Sequence, residues 1–159
     1  MVDRRGERVT TFPPIADVVP HRPPMLLLDR VLSYDGERVV CELTLQPNSP
    51  FAQPGENGGE VPAIVGLEYM AQAIATGAGL SARDKGQPAR VGFLLGCRNL
   101  TIAVDSFRVG DRLTVEARRT WGESDLGSFA CKVRRGDDVL CEGALTVYQG
   151  PLPEEEAAP

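Results

Sequence analysis

Histidine is almost missing, for His21 is the sole imidazole among 159 residues. Any imidazole chemistry must therefore use that residue or one brought by another chain. Aromatic residues make up only 6% of the sequence, the formal charge is −5, and no window mixes aromatics with clustered Lys and Arg. Such a field repels phosphates, which excludes nucleic acid as a partner. Small arginine groups such as Arg118 with Arg119 and Arg134 with Arg135 read as solvated strand faces. Cys41, Cys97, Cys131 and Cys141 show no paired spacing and have only His21 as a possible imidazole co-ligand. A metal site is not expected, and neither is a cofactor. Three of these cysteines fall in β-type alternations as small apolar residues, and no signal peptide opens the chain. That usage fits a reducing cytoplasm. A Gly-rich phosphate loop, a Gly-x-Ser-x-Gly elbow, a heptad run and internal repeats are absent as well.

Long uncharged runs are scarce. Val61 to Ala82 comes nearest to a membrane span, with one charged residue, but Glu68, Gln72 and small polar residues dilute it. No aromatic belt or basic cluster flanks it, so a membrane helix is not expected. Hydrophobic residues at 42% and charged residues at 25% suit one globular domain, residues 1–149, followed by a disordered acidic tail, 150–159.

The chain alternates between recognisable patterns. Pro13 to Val19 predicts a short helical turn ending before Pro20. Met25 to Tyr34 has the aliphatic density of a buried strand, Asp35-Gly36 supplies a hairpin turn, and Val39, Cys41, Leu43 and Leu45 alternate on the returning strand. Pro47 to Glu60, with three Pro and three Gly, reads as a long loop. Pro62 suits a first helical turn, and from Ala63 to Leu80 the apolar residues cover most of the circumference, so the helix must be enclosed. Strand patterns follow at 91–104, 112–121, 126–134 and 139–148, with 105–111, 122–125 and 136–138 as turns. The expected architecture is α+β, an antiparallel sheet of about six strands wrapped around one long helix, which is the hotdog fold.

Glu68 is the most informative residue. An ionised carboxylate inside an apolar, enclosed helix costs several kcal/mol unless a partner or a neutral form offsets it. Gln72 lies four residues on, along the same face, and is placed to hydrogen-bond it. The start of this helix offers backbone amides near Ala63 and Ile64, suited to polarising a thioester carbonyl.

These residues carry a family resemblance. Pro20-His21-Arg22-Pro23-Pro24-Met25-Leu26-Leu27-Leu28-Asp29-Arg30-Val31 resembles the Pro-His-Arg...Asp-Arg-Val opening of the 3-hydroxyacyl-acyl-carrier-protein dehydratases. Leu67-Glu68-Tyr69-Met70-Ala71-Gln72 is similar to their helix motif Glu-Ala-Met-Ala-Gln. With Gly92-Phe93-Leu94-Leu95-Gly96, the match is nearest to the dehydratase-like branch of aryl polyene pigment pathways, and it runs from about Ile15 to Gln149. The resemblance implies a hotdog dimer, joined sheet edge to sheet edge, acting on an acyl thioester of an acyl carrier protein or CoA. It makes Glu68 the helix carboxylate of the catalytic pair, with Ala63, Ile64 and Gln72 as substrate-binding candidates. The family's loop His has no counterpart here, since 48–60 contains none, and Ala63 stands where the family opens its helix with glycine.

Three functions follow as expectations. One is a 3-hydroxyacyl-carrier dehydratase of fatty acid or aryl polyene biosynthesis, active through Glu68 with an unorthodox base or another subunit's His; His21, the one imidazole this chain could itself supply, reads first as a structural part of the Pro-His-Arg segment that shapes the entrance to the first strand. The second is a hotdog thioesterase in which Glu68 activates water or itself attacks the thioester. The third is a non-catalytic subunit paired with an active relative, so both a homodimer and a heterodimer fit.

Overall fold

The computed structural model describes residues 11–123 and 125–150. A 3-10 turn (Ile15–Asp17) opens the fold. Strands β1 (Arg30–Tyr34) and β2 (Arg38–Thr44) form the expected hairpin. Its turn is fastened by Asp35, whose Oδ1 accepts the amides of Glu37 and Arg38 at 2.9 and 2.8 Å. Those two amides hold the Asp35 carboxyl below its ordinary value. Gly36 sits at φ +96°, a conformation that an L side chain rarely adopts.

The helix α1 (Gly66–Asp84) follows a short strand β3 (Glu60–Pro62) and a 3-10 turn (Ala63–Val65). No residue of α1 is fully exposed before Arg83, as the all-round apolar pattern requires. Tyr69, Met70, Ala73 and Ile74 enter the core, and the Tyr69 ring meets Phe107 at 5.8 Å between centroids. Behind the helix, Gly79 lies against the backbone of Val18, and a Cβ there would overlap the Val18 carbonyl. The opening turn therefore packs directly on α1 through a residue without a side chain.

The remaining strands are β4 (Gly92–Ile102), β5 (Ser106–Arg108), β6 (Arg112–Glu123), β7 (Leu126–Arg135) and β8 (Asp138–Gln149). Six of them make one antiparallel sheet in the order β1-β2-β6-β7-β8-β4. Helix α1 lies on β2, β6 and β7, which gives the expected hotdog arrangement. Glu42, buried on β2, is shared by Arg30 of β1 (3.1 Å) and Arg112 of β6 (3.2 Å), so one carboxylate ties three adjacent strands. Strand β4 is an edge, and apolar Phe93 (41% exposed), Leu94 and Leu95 (60% exposed) lie bare along it.

Three expectations are corrected. The strand expected over Met25 to Tyr34 begins only at Arg30, because the side chain of Gln72 takes the backbone groups of Met25 and Leu27 that a neighbouring strand would have met. Residues 47–60 and 105–111 are not wholly loop and turn, since β3 pairs with β5 from Glu60↔Arg108 to Pro62↔Ser106. Strands of three residues are too short to show an alternation. Pro62 ends β3 and does not open the α-helix. The acidic tail, from residue 151 on, lies outside the described residues. No helix among the described residues is long and apolar enough to cross a membrane.

Candidate active site

Glu68 lies in the first turn of α1 and is half-buried. Gln72, one turn later and 1% exposed, donates from Nε2 to Glu68 Oε1 at 3.0 Å and to the carbonyl of Met25 at 2.8 Å. Its Oε1 accepts the amide of Leu27 at 2.9 Å. A carbonyl only accepts and an amide only donates, so these two backbone groups fix which end of Gln72 is nitrogen. That nitrogen must face Glu68, and the carboxylate is held by a donor whose own position is locked. Among the described residues no protein donor meets Glu68 Oε2.

The Glu68 side chain lines a cavity of about 140 Å³ with His21, Ala71, Ile74 and Ala75, and Leu94 of β4 and Val147 of β8 also form its wall. The structure thus brings Glu68 and His21, some 47 residues apart by their numbers (68 − 21 = 47), to one cavity. Its Nδ1 is shielded from water and has no hydrogen-bond partner among the described residues. The neighbouring Arg22 folds back on the backbone, donating to the carbonyls of Val19 and His21. The segment carrying His21 is therefore anchored by its own arginine.

Two substrate-binding candidates are placed otherwise than expected. Ala63 is 2% exposed and its amide donates to the carbonyl of Asp105 at 3.0 Å, so this amide ties the turn before α1 to the residue preceding β5 and is not presented to a ligand. Gln72 has its donors and acceptor occupied, and it positions Glu68 from behind. Ile64, 54% exposed at the same helix start, stays accessible. The loop that precedes the helix does not wall the Glu68 cavity. Residues Asn48, Ser49 and Pro50 line a different one, beside Pro23, Leu27 and Tyr69.

The cysteines add no reactive centre here. Burial pushes the thiol of Cys41 up to about 12 and that of Cys141 up to about 11, values at which almost no thiolate exists near neutrality. Among the described residues no cluster of His, Cys, Asp or Glu could hold a metal ion. What the cavity offers is a carboxylate, an imidazole and apolar walls, a set fit for moving protons on an acyl chain.

The profile described as ApeP dehydratase matches residues 13–158. The chain belongs to the ApeP-like dehydratase family. Among curated relatives, this ApeP-like chain is 30% identical over 142 residues to the 3-hydroxyacyl-acyl-carrier-protein dehydratase FabZ of Staphylococcus carnosus (strain TM300), covering 88% of this chain and 95% of that enzyme. FabZ of Chlamydia caviae is 32% identical over 137 residues, with 83% and 86% covered. Among solved structures, the dehydratase heterocomplex ApeI:P from Xenorhabdus doucetiae matches with a TM-score of 0.82 at 28% identity, over 89% of this chain and 93% of that one. A hypothetical thioesterase with coenzyme A from Streptococcus pneumoniae TIGR4 matches with a TM-score of 0.56 at 11% identity, over 76% of this chain and 84% of that one. That last likeness concerns the fold alone. The ApeP-like chain is thus a relative of the FabZ dehydratases, a family of hydro-lyases.

Proposed function

We propose that this ApeP-like chain is a subunit of a 3-hydroxyacyl-carrier-protein dehydratase serving fatty acid or aryl polyene biosynthesis, with Glu68 as the proton donor to the leaving hydroxyl. The observation that carries the reading is Glu68 itself, held from behind by Gln72 and opening into an apolar cavity beside the edge strand β4. Elimination needs a base for the proton next to the thioester carbonyl, an acid for the hydroxyl, and donors for the enolate-like oxygen. Glu68 supplies the acid. Amides of the helix start from Ile64 onward supply the donors, where the helix dipole is positive.

The base comes from a second hotdog chain. An eleven-residue edge strand with bare apolar side chains invites pairing with another sheet, and pairing there brings a partner's loop to the Glu68 cavity. The name of the ApeI:P structure, a heterocomplex, supports a related hotdog protein as that partner. A second reading has its own observation, His21 in the wall of the same cavity with an Nδ1 that has no hydrogen-bond partner among the described residues. In that reading the chain is complete as a homodimer. In either case the four free cysteines suit a reducing cytoplasm.

The test follows a 3-hydroxyacyl carrier protein by mass spectrometry with this chain alone and with a hotdog partner that carries a loop His. Loss of water only in the mixture supports the two-chain site. Loss of water with the chain alone, abolished by His21→Gln, assigns the base to His21. Release of the free carrier thiol, or no reaction in either mixture, overturns the dehydratase reading.

A further inference from the structure

Tyr69 is the largest side chain that the fold buries almost completely, at 1% exposure, with its ring against Phe107. It stands where the helix motif Glu-Ala-Met-Ala-Gln has its first alanine, so this chain places a phenol where the motif has a methyl group. Burial pushes that phenol well above its ordinary range, and it stays protonated. Its hydroxyl makes no hydrogen bond with a described residue. The polar side-chain atoms that are sealed from water without a partner are His21 Nδ1 and Arg134 Nε, and the Tyr69 hydroxyl is not one of them. It therefore reaches free space.

The space that Tyr69 borders is a cavity of about 310 Å³ between the end of β2 and the segment before β1. It shares no lining residue with the cavity of Glu68. Leu26, Leu27, Leu43 and Leu45 give it aliphatic walls, and Asp29, Asn48 and Ser49 add polar groups. Asp29 Oδ2 accepts the amide of Thr44 at 2.8 Å, and Ser49 Oγ accepts that of Gln46 at 2.9 Å. No Lys or Arg among the described residues lines it. An anion entering there would lose water beside the Asp29 carboxylate and meet no cation in return. A wholly apolar occupant would leave the buried phenol without a partner. A neutral molecule with one hydrogen-bonding group satisfies the phenol and fills the aliphatic walls together. The volume lies at the lower end of the range for small-molecule sites, about 300–1,000 Å³, which suits a single ring.

We propose that this cavity is a second binding site, separate from that of Glu68, for a neutral, ring-sized molecule bearing one hydroxyl or amide group, with the Tyr69 hydroxyl as its hydrogen-bond partner. Leu27 belongs to its wall, and the Leu27 amide donates to Gln72 Oε1 at 2.9 Å, so an occupant rests against the segment that Gln72 anchors. The experiment is a ligand-observed NMR titration of the assembled protein with three probes of one size: phenol, toluene and benzoate. Phenol is expected to bind about fivefold tighter than toluene, as one hydrogen bond provides. Benzoate is expected to bind about tenfold or more weaker than phenol. Tyr69→Phe keeps the ring against Phe107, and in that variant phenol and toluene bind alike. Asn48 is exposed at the rim, and Asn48→Trp, which fills the cavity without touching the core, weakens phenol and toluene by about tenfold or more. Glu68→Gln leaves all three affinities unchanged, which separates this site from the elimination chemistry. The proposal is overturned if phenol does not bind, if benzoate binds as tightly, or if Glu68→Gln weakens phenol while Tyr69→Phe and Asn48→Trp do not. Binding that none of the three substitutions alters overturns it equally.

Discussion

Glu68→Gln is expected to lower kcat for elimination by about 10²–10⁴-fold, the range that a positioned acid or base contributes. The two side chains have the same shape, and the carbonyl oxygen of a glutamine at 68 can still accept from Gln72 Nε2, which donates to Glu68 Oε1 at 3.0 Å. Folding stability should therefore change by less than about 1 kcal/mol. What the substitution removes is a transferable proton at the mouth of an apolar cavity, with substrate binding left nearly intact. The loss should appear in kcat with KM little changed. Steady-state kinetics on a 3-hydroxyacyl carrier protein, beside a melting curve, checks both parts. An unchanged kcat in the folded variant removes Glu68 from the chemistry.

Gln72→Leu is expected to act on stability and on the site together. The side chain joins α1 to the segment before β1 through Met25 and Leu27, and it carries the donor that orients Glu68. Leucine fills the space but leaves the Leu27 amide without its partner in a half-buried place. The cost is about 1–3 kcal/mol, read as a melting temperature lower by several degrees. Because Gln72 positions and does not touch substrate, kcat should fall less than in Glu68→Gln and binding of an unreactive thioether should weaken only slightly. A variant that melts like the wild type would show that the 25–27 segment is held by something else.

The parts of this architecture that repeat over many residues are the parts that the sequence displays. β2 and the hairpin turn show a two-residue alternation and an Asp-Gly pair, and α1 shows apolar residues on every side. Glu68 is conspicuous because it is the single charge from Val61 to Ala82, and its hydrogen bond with Gln72 follows from helical spacing alone. The other two bonds of Gln72 reach back 45 and 47 residues, and no local pattern encodes such a contact. The same holds for β3 and β5, which are only three residues each. It holds for the meeting of His21 with Glu68, which joins an extended turn to a helix. The amides at the helix start were legible as potential donors. Only the contact of Ala63 with Asp105 shows that the first of them is already occupied.

The most direct measurement is a crystal structure of the assembled protein with a 3-hydroxyacyl-pantetheine thioether that cannot eliminate. The expected result places the 3-hydroxyl within hydrogen-bond distance of Glu68 Oε2, with Gln72 still donating to Oε1 and the acyl chain lying against Ile74 and Leu94. A ligand seated elsewhere, with the pocket between Glu68 and Leu94 closed to it, would contradict the account.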